Sequence, residues 1–220
     1  MLYMTTVPDK FFDLAPVDVQ YGINQGGDKN HTRSKLAVSK DYHSYNDTES
    51  PPIEYFKELF RVSKNQIIWG ANHFISKIPY DSSAWIVWDK LNGNTDFADC
   101  ELAWTSYDLA VRKFSYRWQG MLQGNMKNKE TRIHPNQKPI ALYKWLLKNY
   151  AQPGWKIFDS HVGSGSSRIA CYDMGFDFTG CENDHDYWQA QEDRFKNHVA
   201  QAGLFDTEEI QDLIYQKSSK

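Results

Sequence analysis

Apolar and polar positions along this chain fall into two rhythms. "FFDLAPV", residues 11–17, is a nearly continuous apolar run that stops at Asp18 and predicts a buried strand. "IEYFKELFRV", residues 53–62, spaces Ile53, Phe56, Leu59 and Phe60 at helical intervals, and Pro51 and Pro52 suit a helix start. "NQIIWG" (65–70) and "AWIVWDK" (84–90) predict two short buried strands, ended by Gly70 and Asp89. "ELAWTSYDLA" (101–110) and "VRKFSYRWQ" (111–119) alternate as two more strands, expected to form a hairpin. "PIALYKWLLKNYA" (139–151) is an amphipathic helix with Pro139 at its start and Pro153-Gly154 beyond its end. "WKIFDS" then predicts a strand, "HVGSGSS" a glycine turn, "SRIACYDMG" a helix stopped by Gly175, "DFTGCEND" a strand ending in acids, and residues 185–203 a long helix. Strands alternating with helices predict a doubly wound α/β fold, a mostly parallel Rossmann-like sheet with helices on both faces. No internal repeat divides the chain, so residues 1–220 are expected to be one domain. The two aperiodic polar stretches, 24–46 and 120–136, read as loops.

Composition narrows this picture. A length of 220 residues with 40 % hydrophobic content supports one sizeable core. Mean hydropathy is low, -0.69, yet 15 % of residues are aromatic, which argues against a disordered chain. No run approaches the roughly 18 apolar residues of a membrane span. "MLYMTTVPDKFFD" lacks the order of a signal peptide. Cys100, Cys171 and Cys181 have no CxxC spacing, so they read as free thiols of a reducing cytoplasm, and no metal site is expected. The net charge of -3 is unevenly spread. Arg112, Lys113, Arg117, Lys127, Lys129, Arg132 and Lys138 face the lone acid Glu130 in one segment, while 184–209 is predominantly acidic. Such asymmetry orients a polyanion on one face, if folding does not intermix the charges.

The sharpest motif is "KIFDSHVGSGSSRIA", residues 156–170: strand, acid, Gly-x-Gly, helix. Gly163 and Gly165 allow close approach of backbone to a ligand at a strand's carboxyl end. About twenty residues on, Glu182 ends the next strand, where an acid accepts hydrogen bonds from ribose hydroxyls. Arg168 stands near the place of the third glycine of a dinucleotide fingerprint, and no Walker lysine is present. A smaller adenosine ligand without a pyrophosphate is the reading that remains.

"HPNQKP" (134–139), a helix, then a strand with "DSHVGSG" resembles the S-adenosylmethionine half of the N6-adenine/N4-cytosine amino DNA methyltransferases in their β arrangement, where the catalytic strand comes first. The family signature (D/N/S)PP(Y/W/F) has its counterpart in Asp18-Val19-Gln20-Tyr21, followed by Gly22-Ile23, with both prolines replaced. "DSHVGSG" likewise has Ser160-His161 where the family carries Pro-Phe. The resemblance extends from residue 11 to about 198. It implies a catalytic half at 1–111, a loop region at 112–138 suited to DNA recognition, and a cofactor half at 139–220.

That resemblance assigns roles. Asp18 and the Val19 carbonyl would accept the two N–H groups of an exocyclic base amine, Gln20 completes the motif, and Tyr21 would stack on a base flipped from the duplex. S-adenosylmethionine would lie against Asp159, His161, Gly163, Ser164, Gly165 and Glu182. Asn136 and Gln137 would bind its polar tail, and Lys138 would neutralise its carboxylate. DNA phosphates would meet Lys29, Arg33, Lys35, Lys127, Lys129 and Arg132. Adenine N6 is the expected target, since an acid leads the motif. Cytosine N4, a catalytically impaired homologue that binds DNA and cofactor, and methylation of RNA or a protein amide are the alternatives. Each missing proline forfeits about 0.4–1 kcal/mol of rigidity. A barrier higher by about 1–2 kcal/mol would slow transfer roughly five- to thirtyfold without abolishing it.

Overall fold

The computed structural model describes residues 1–24, 47–93, 98–119 and 122–205. The apolar run at the start of the chain forms β1 (Phe12–Val17), preceded by a single helical turn, α1 (Leu2–Thr5). The helical spacing after Pro52 gives α2 (Ile53–Val62), which leads directly into β2 (Ser63–Trp69). Two short 3-10 turns, Ala71–His73 and Ile75–Lys77, carry the chain to β3 (Ile86–Asp89), β4 (Cys100–Thr105) and β5 (Arg112–Ser115). A two-stranded ribbon follows, β6 (Trp118–Gln119) with β7 (Leu122–Gln123). The last part is α3 (Ile140–Tyr150), β8 (Lys156–Asp159), α4 (Ser166–Met174), β9 (Asp177–Gly180) and α5 (His185–Phe205).

Seven strands make one sheet in the order β5-β3-β4-β2-β1-β8-β9. β2, β1, β8 and β9 are mutually parallel, and β5 runs parallel to β3, while β4 is antiparallel to both β2 and β3. The α/β expectation therefore holds with one reversed strand. Alternation along each strand sends side chains to two cores. Val17, Ile68, Trp104 and Phe158 pack with α1 and α2 through Met4, Phe56 and Leu59. Leu14, Ile67, Trp69, Trp88 and Ile157 pack with α3 and α4 through Leu142, Leu146 and Ala170. Phe12 and Phe158 stack at 4.5 Å between ring centroids, tying β1 to β8. Each such fully buried aromatic contributes about 1.5–3 kcal/mol.

The hairpin expected over 101–119 does not form. β3 lies between β4 and β5, pairing Ile86 with both Ala103 and Arg112. The reason is burial. Ala103, Trp104 and Thr105 need a central strand, whereas Arg112, Lys113 and Ser115 are exposed and suit an edge. Trp118, expected to continue the same strand, turns away into the ribbon instead. The ribbon also gives structure to the predicted 120–136 loop. There Gln123 exchanges hydrogen bonds with the Glu130 backbone, and Glu130 is held by Arg194 of α5 at 2.7 Å. The predicted 24–46 loop falls, from residue 25 on, outside the described residues.

In this order the connections leaving β1 and β8 diverge. The carboxyl ends of these adjacent strands open onto one crevice, the position where open α/β sheets bind ligands.

Candidate active site

Asp18 follows β1, and the glycine turn follows its neighbour β8. Between them lies a cleft of about 1270 Å³ whose walls include Asp18, Tyr21, Lys138, Gly163 and Glu182. A smaller hollow of about 630 Å³ sits by the amino ends of β1 and β2, among Lys10, Arg61 and Lys64, remote from these groups.

At the Asp18 end, one carboxylate oxygen, Oδ1, accepts hydrogen bonds from the Tyr21 hydroxyl at 3.0 Å and from Lys138 Nζ at 2.5 Å. Among the described residues nothing donates to Oδ2. Lys138, only 5 % exposed, also meets Glu101 at 3.1 Å and the Tyr21 hydroxyl at 3.1 Å. Glu101 is paired in turn with Lys90. The result is an alternating row of charges, Asp18, Lys138, Glu101 and Lys90, across four chain segments. Burial pushes the Asp18 pKa up, against the pull of Lys138. Burial also opposes ionisation of Glu101, but its two lysines outweigh that and hold it at about 2. Burial disfavours the Lys138 charge too, yet Asp18 and Glu101 raise its pKa above the ordinary value. Burial and the two carboxylates keep the Tyr21 phenol neutral, as a hydrogen-bond donor.

The Tyr21 ring lies against Gly70, which follows β2 with φ +68°; a Cβ there would fall 2.1 Å from Tyr21 Cε1. On another side the ring stacks with His73 at 5.2 Å. The strand signal that ended at Gly70 thus also marks the seat of Tyr21. Val19 is buried, and its carbonyl accepts no hydrogen bond among the described residues. The Gln20 side chain is half-buried and lines the cleft.

At the other end Gly163, with φ +51°, donates its amide to Glu182 Oε2 at 2.8 Å. Oε1 of Glu182 accepts the amides of Asn183 and Asp184 at 2.9 and 3.0 Å. Three backbone donors thus fix this carboxylate at the end of β9. Ser164 lines the cleft, while Gly165, with φ +74°, caps the start of α4 and lies behind the wall against Gln191. Ser160-His161 forms a small network: Tyr55 Oη lies 2.6 Å from Ser160 Oγ, which lies 2.9 Å from His161 Nδ1. Burial lowers the His161 and His134 pKa values to about 4, so both rings are neutral at pH 7.

Several expected positions differ. Asp159 is not on the cleft wall but wholly buried beneath it, accepting from the Ser167 hydroxyl at 2.6 Å and the His161 amide at 3.0 Å. Burial raises its pKa to about 7, and its visible work is to hold the turn. Lys138 pairs with Asp18 rather than standing free for a ligand carboxylate, because its own burial excludes solvent and two half-buried acids stand beside it. Gln137 is 4 % exposed and bonds within its own turn, to the Ile133 amide and the Thr131 carbonyl. Asn136 remains exposed on the cleft rim. Lys127 and Lys129 are exposed, but Arg132 lies half-buried over the Trp118 ring at 4.5 Å, on the cleft wall. Lys29, Arg33 and Lys35 lie outside the described residues. Sequence reasoning missed Glu101, Lys90 and His73 altogether. Only the acid opening the β4 segment offered a signal, and nothing in it pointed to Asp18. Among the described residues no three His, Cys, Asp or Glu side chains converge as a metal site, and no helix is long and apolar enough to cross a membrane.

The Type II methyltransferase M2.MboI of Moraxella bovis is 25 % identical over 146 residues, 66 % of this chain; the chain spans under half, 46 %, of that relative's length. The structure of the M1.HpyAVI-SAM complex matches in fold with a TM-score of 0.51 at 19 % identity, over 88 % of this chain and 92 % of that one. The cytosine-N4-specific PvuII DNA methyltransferase matches with a TM-score of 0.53 at 10 % identity, over 87 % and 82 %. The family model described as DNA methylase, for N6 and N4 methyltransferases, matches residues 27–193, beginning just after Tyr21. With about three quarters of its length matched, the chain belongs to the N6/N4 DNA methylase family.

Proposed function

We propose that this chain transfers a methyl group from S-adenosylmethionine to an exocyclic amine of a DNA base, adenine N6 being the leading target, and that residues 1–220 act as one domain with the halves divided near 111 and 139. The observation that carries this reading is the pairing, across one cleft, of an acid with an oxygen to which no described residue donates and a carboxylate suited to a ribose.

The residues present fit the cofactor. Glu182 is fixed by three amides and is positioned to accept from ribose hydroxyls. Neutral His161 and His134 add no positive charge beside a sulfonium cation. When bound, the cofactor supplies an electrophilic methyl group on sulfur, which leaves with the bond's electron pair. Asp18 Oδ2 and the Val19 carbonyl are the acceptors for the two amine hydrogens. They draw the nitrogen lone pair out of conjugation and stabilise the charge that develops there on attack. Lys138 and the Tyr21 hydroxyl hold Asp18 through Oδ1, so its orientation is set before the base arrives. The surplus amine proton leaves through Asp18 to solvent. Tyr21 offers its ring to the flipped base. Lys127 and Lys129 are the proposed phosphate contacts among the described residues, and Arg132 is better suited to a group inside the cleft.

Labelled methyl transfer to duplex DNA, single-stranded DNA and RNA tests this. Duplex DNA is expected to be labelled, with N6-methyladenine as the product nucleoside. Asp18→Ala is expected to lose transfer and keep cofactor affinity. Label on cytosine would correct the target, and label on RNA the substrate. Cofactor binding without transfer to any of them would leave a binding protein.

A further inference from the structure

The family's two prolines would fix the backbone of the acceptor loop, and here Val19 and Gln20 do not. A different device stands beside this loop. Asp47, 4 % exposed, is remote in sequence from Tyr21. Its Oδ1 accepts both the Tyr21 amide and the Gly22 amide, each at 3.0 Å. Its main-chain carbonyl accepts the Asn24 amide at 2.9 Å. Gly22 itself has φ +73°, and a Cβ on it would come within 2.7 Å of the Ser50 amide nitrogen, so the loop is packed against 47–50 without space for a side chain. That bracing segment is anchored in turn. Lys77 Nζ donates to the Ser50 carbonyl, the Ser50 hydroxyl and the Pro51 carbonyl at 3.1, 2.7 and 2.9 Å.

We propose that Asp47 is the positioning residue of the acceptor loop, taking over the restraint that prolines give elsewhere in the family. This rests on the function proposed above. A carboxylate receiving two successive amides forms charge-assisted bonds, stronger than neutral ones, and fixes the two peptide planes that flank Tyr21. Proline restrains φ from inside the loop; Asp47 restrains the same turn from outside, at its carboxyl end. The arrangement leaves Val19 and Gln20 free of the steric demands of proline. It also makes the loop's geometry depend on the docking of 47–50, and hence on Lys77.

The test uses Asp47→Ala, Asp47→Asn and Asp47→Ala combined with Val19→Pro and Gln20→Pro. Single-turnover methyl transfer, cofactor affinity by calorimetry and amide hydrogen exchange are measured on each. Asp47→Ala is expected to slow transfer at least tenfold with cofactor affinity within twofold of wild type, and to raise exchange at Tyr21 and Gly22 while β1 and α2 stay protected. Asp47→Asn, which keeps an acceptor oxygen, is expected to retain most of the rate. The proline pair is expected to restore part of the rate lost by Asp47→Ala. The proposal is overturned if Asp47→Ala leaves the rate unchanged, if rate and cofactor affinity fall together, or if the prolines restore nothing. Should wild type transfer no methyl to any substrate, the functional reading fails. The exchange data then decide the positioning claim alone, which falls if Tyr21 and Gly22 stay protected in Asp47→Ala.

Discussion

Replacing Lys138 by methionine probes the charge row that holds Asp18. Methionine keeps an apolar stem between the Tyr21 and Trp69 rings, whose centroids lie 5.5 Å from Lys138 Nζ, and removes only the charge and its hydrogen bonds. Asp18 and Glu101 are then left facing each other, with side chains 17 % and 22 % exposed, and among the described residues only Glu101 keeps a cation, Lys90. Removing one partner of a buried ion pair costs about 3–5 kcal/mol. Partial exposure argues for the lower end, and 3 kcal/mol corresponds to a fall in Tm of roughly 6–12 °C for a domain of this size. The loss depends on pH. In wild type Glu101 is held at about 2 against an ordinary 4.5, so its stabilisation is complete above 4.5 and fades as pH falls towards 2. In the variant both carboxyls lose the cation that favoured their charged forms, and the pKa of Asp18, already raised by burial, climbs further. Asp18 then takes up a proton in the fold at a pH where the unfolded chain does not, while Glu101 keeps Lys90, so acidification stabilises the variant. The gap between the two proteins is therefore widest at pH 8 and narrows towards pH 5. Urea denaturation followed by tryptophan fluorescence at pH 8, 6.5 and 5 measures it. A loss below about 1 kcal/mol, or a gap that stays constant from pH 8 to 5, would refute the buried-row account.

Two further outcomes are expected. Glu182→Ala removes the proposed ribose acceptor together with the anchor of the Gly163, Asn183 and Asp184 amides. At about 1.5–3 kcal/mol for a hydrogen bond to a charged group, cofactor affinity by calorimetry should fall at least tenfold, with Glu182→Gln intermediate. Lys127→Ser with Lys129→Ser should lower the slope of log affinity for DNA against log salt by about 1.8, at ~0.9 per phosphate, whereas Arg132→Met, altering a group stacked on Trp118, should weaken binding with a smaller change of slope.

Much of the architecture was legible from local pattern, because a strand or helix buried on one face must repeat its apolar positions at the period of its backbone. That rule located β1, α2, α3 and β8 to within a residue or two, and the glycine spacing located the turn after β8. It could not say which strands become neighbours. β4 and β5 read as a hairpin since both alternate, but pairing depends on which strand can bear an exposed edge, and Arg112 and Lys113 decided that only once β3 was available to lie between. The partners of charges were equally hidden. Lys138 read as a group beside the glycine turn, and Glu101 as one acid among many. Their meeting at Asp18 joins a residue just after β1, one at the start of β4 and one just before α3, and it arises because burial makes an unpaired charge costly, so each of these groups takes the nearest opposite charge the fold brings within reach. Asp47 is the same case at the backbone. Two missing prolines between Asp18 and Tyr21 were visible in the sequence, but the carboxylate that binds this loop arrives from a distant segment, and no periodicity marks a residue that accepts two amides.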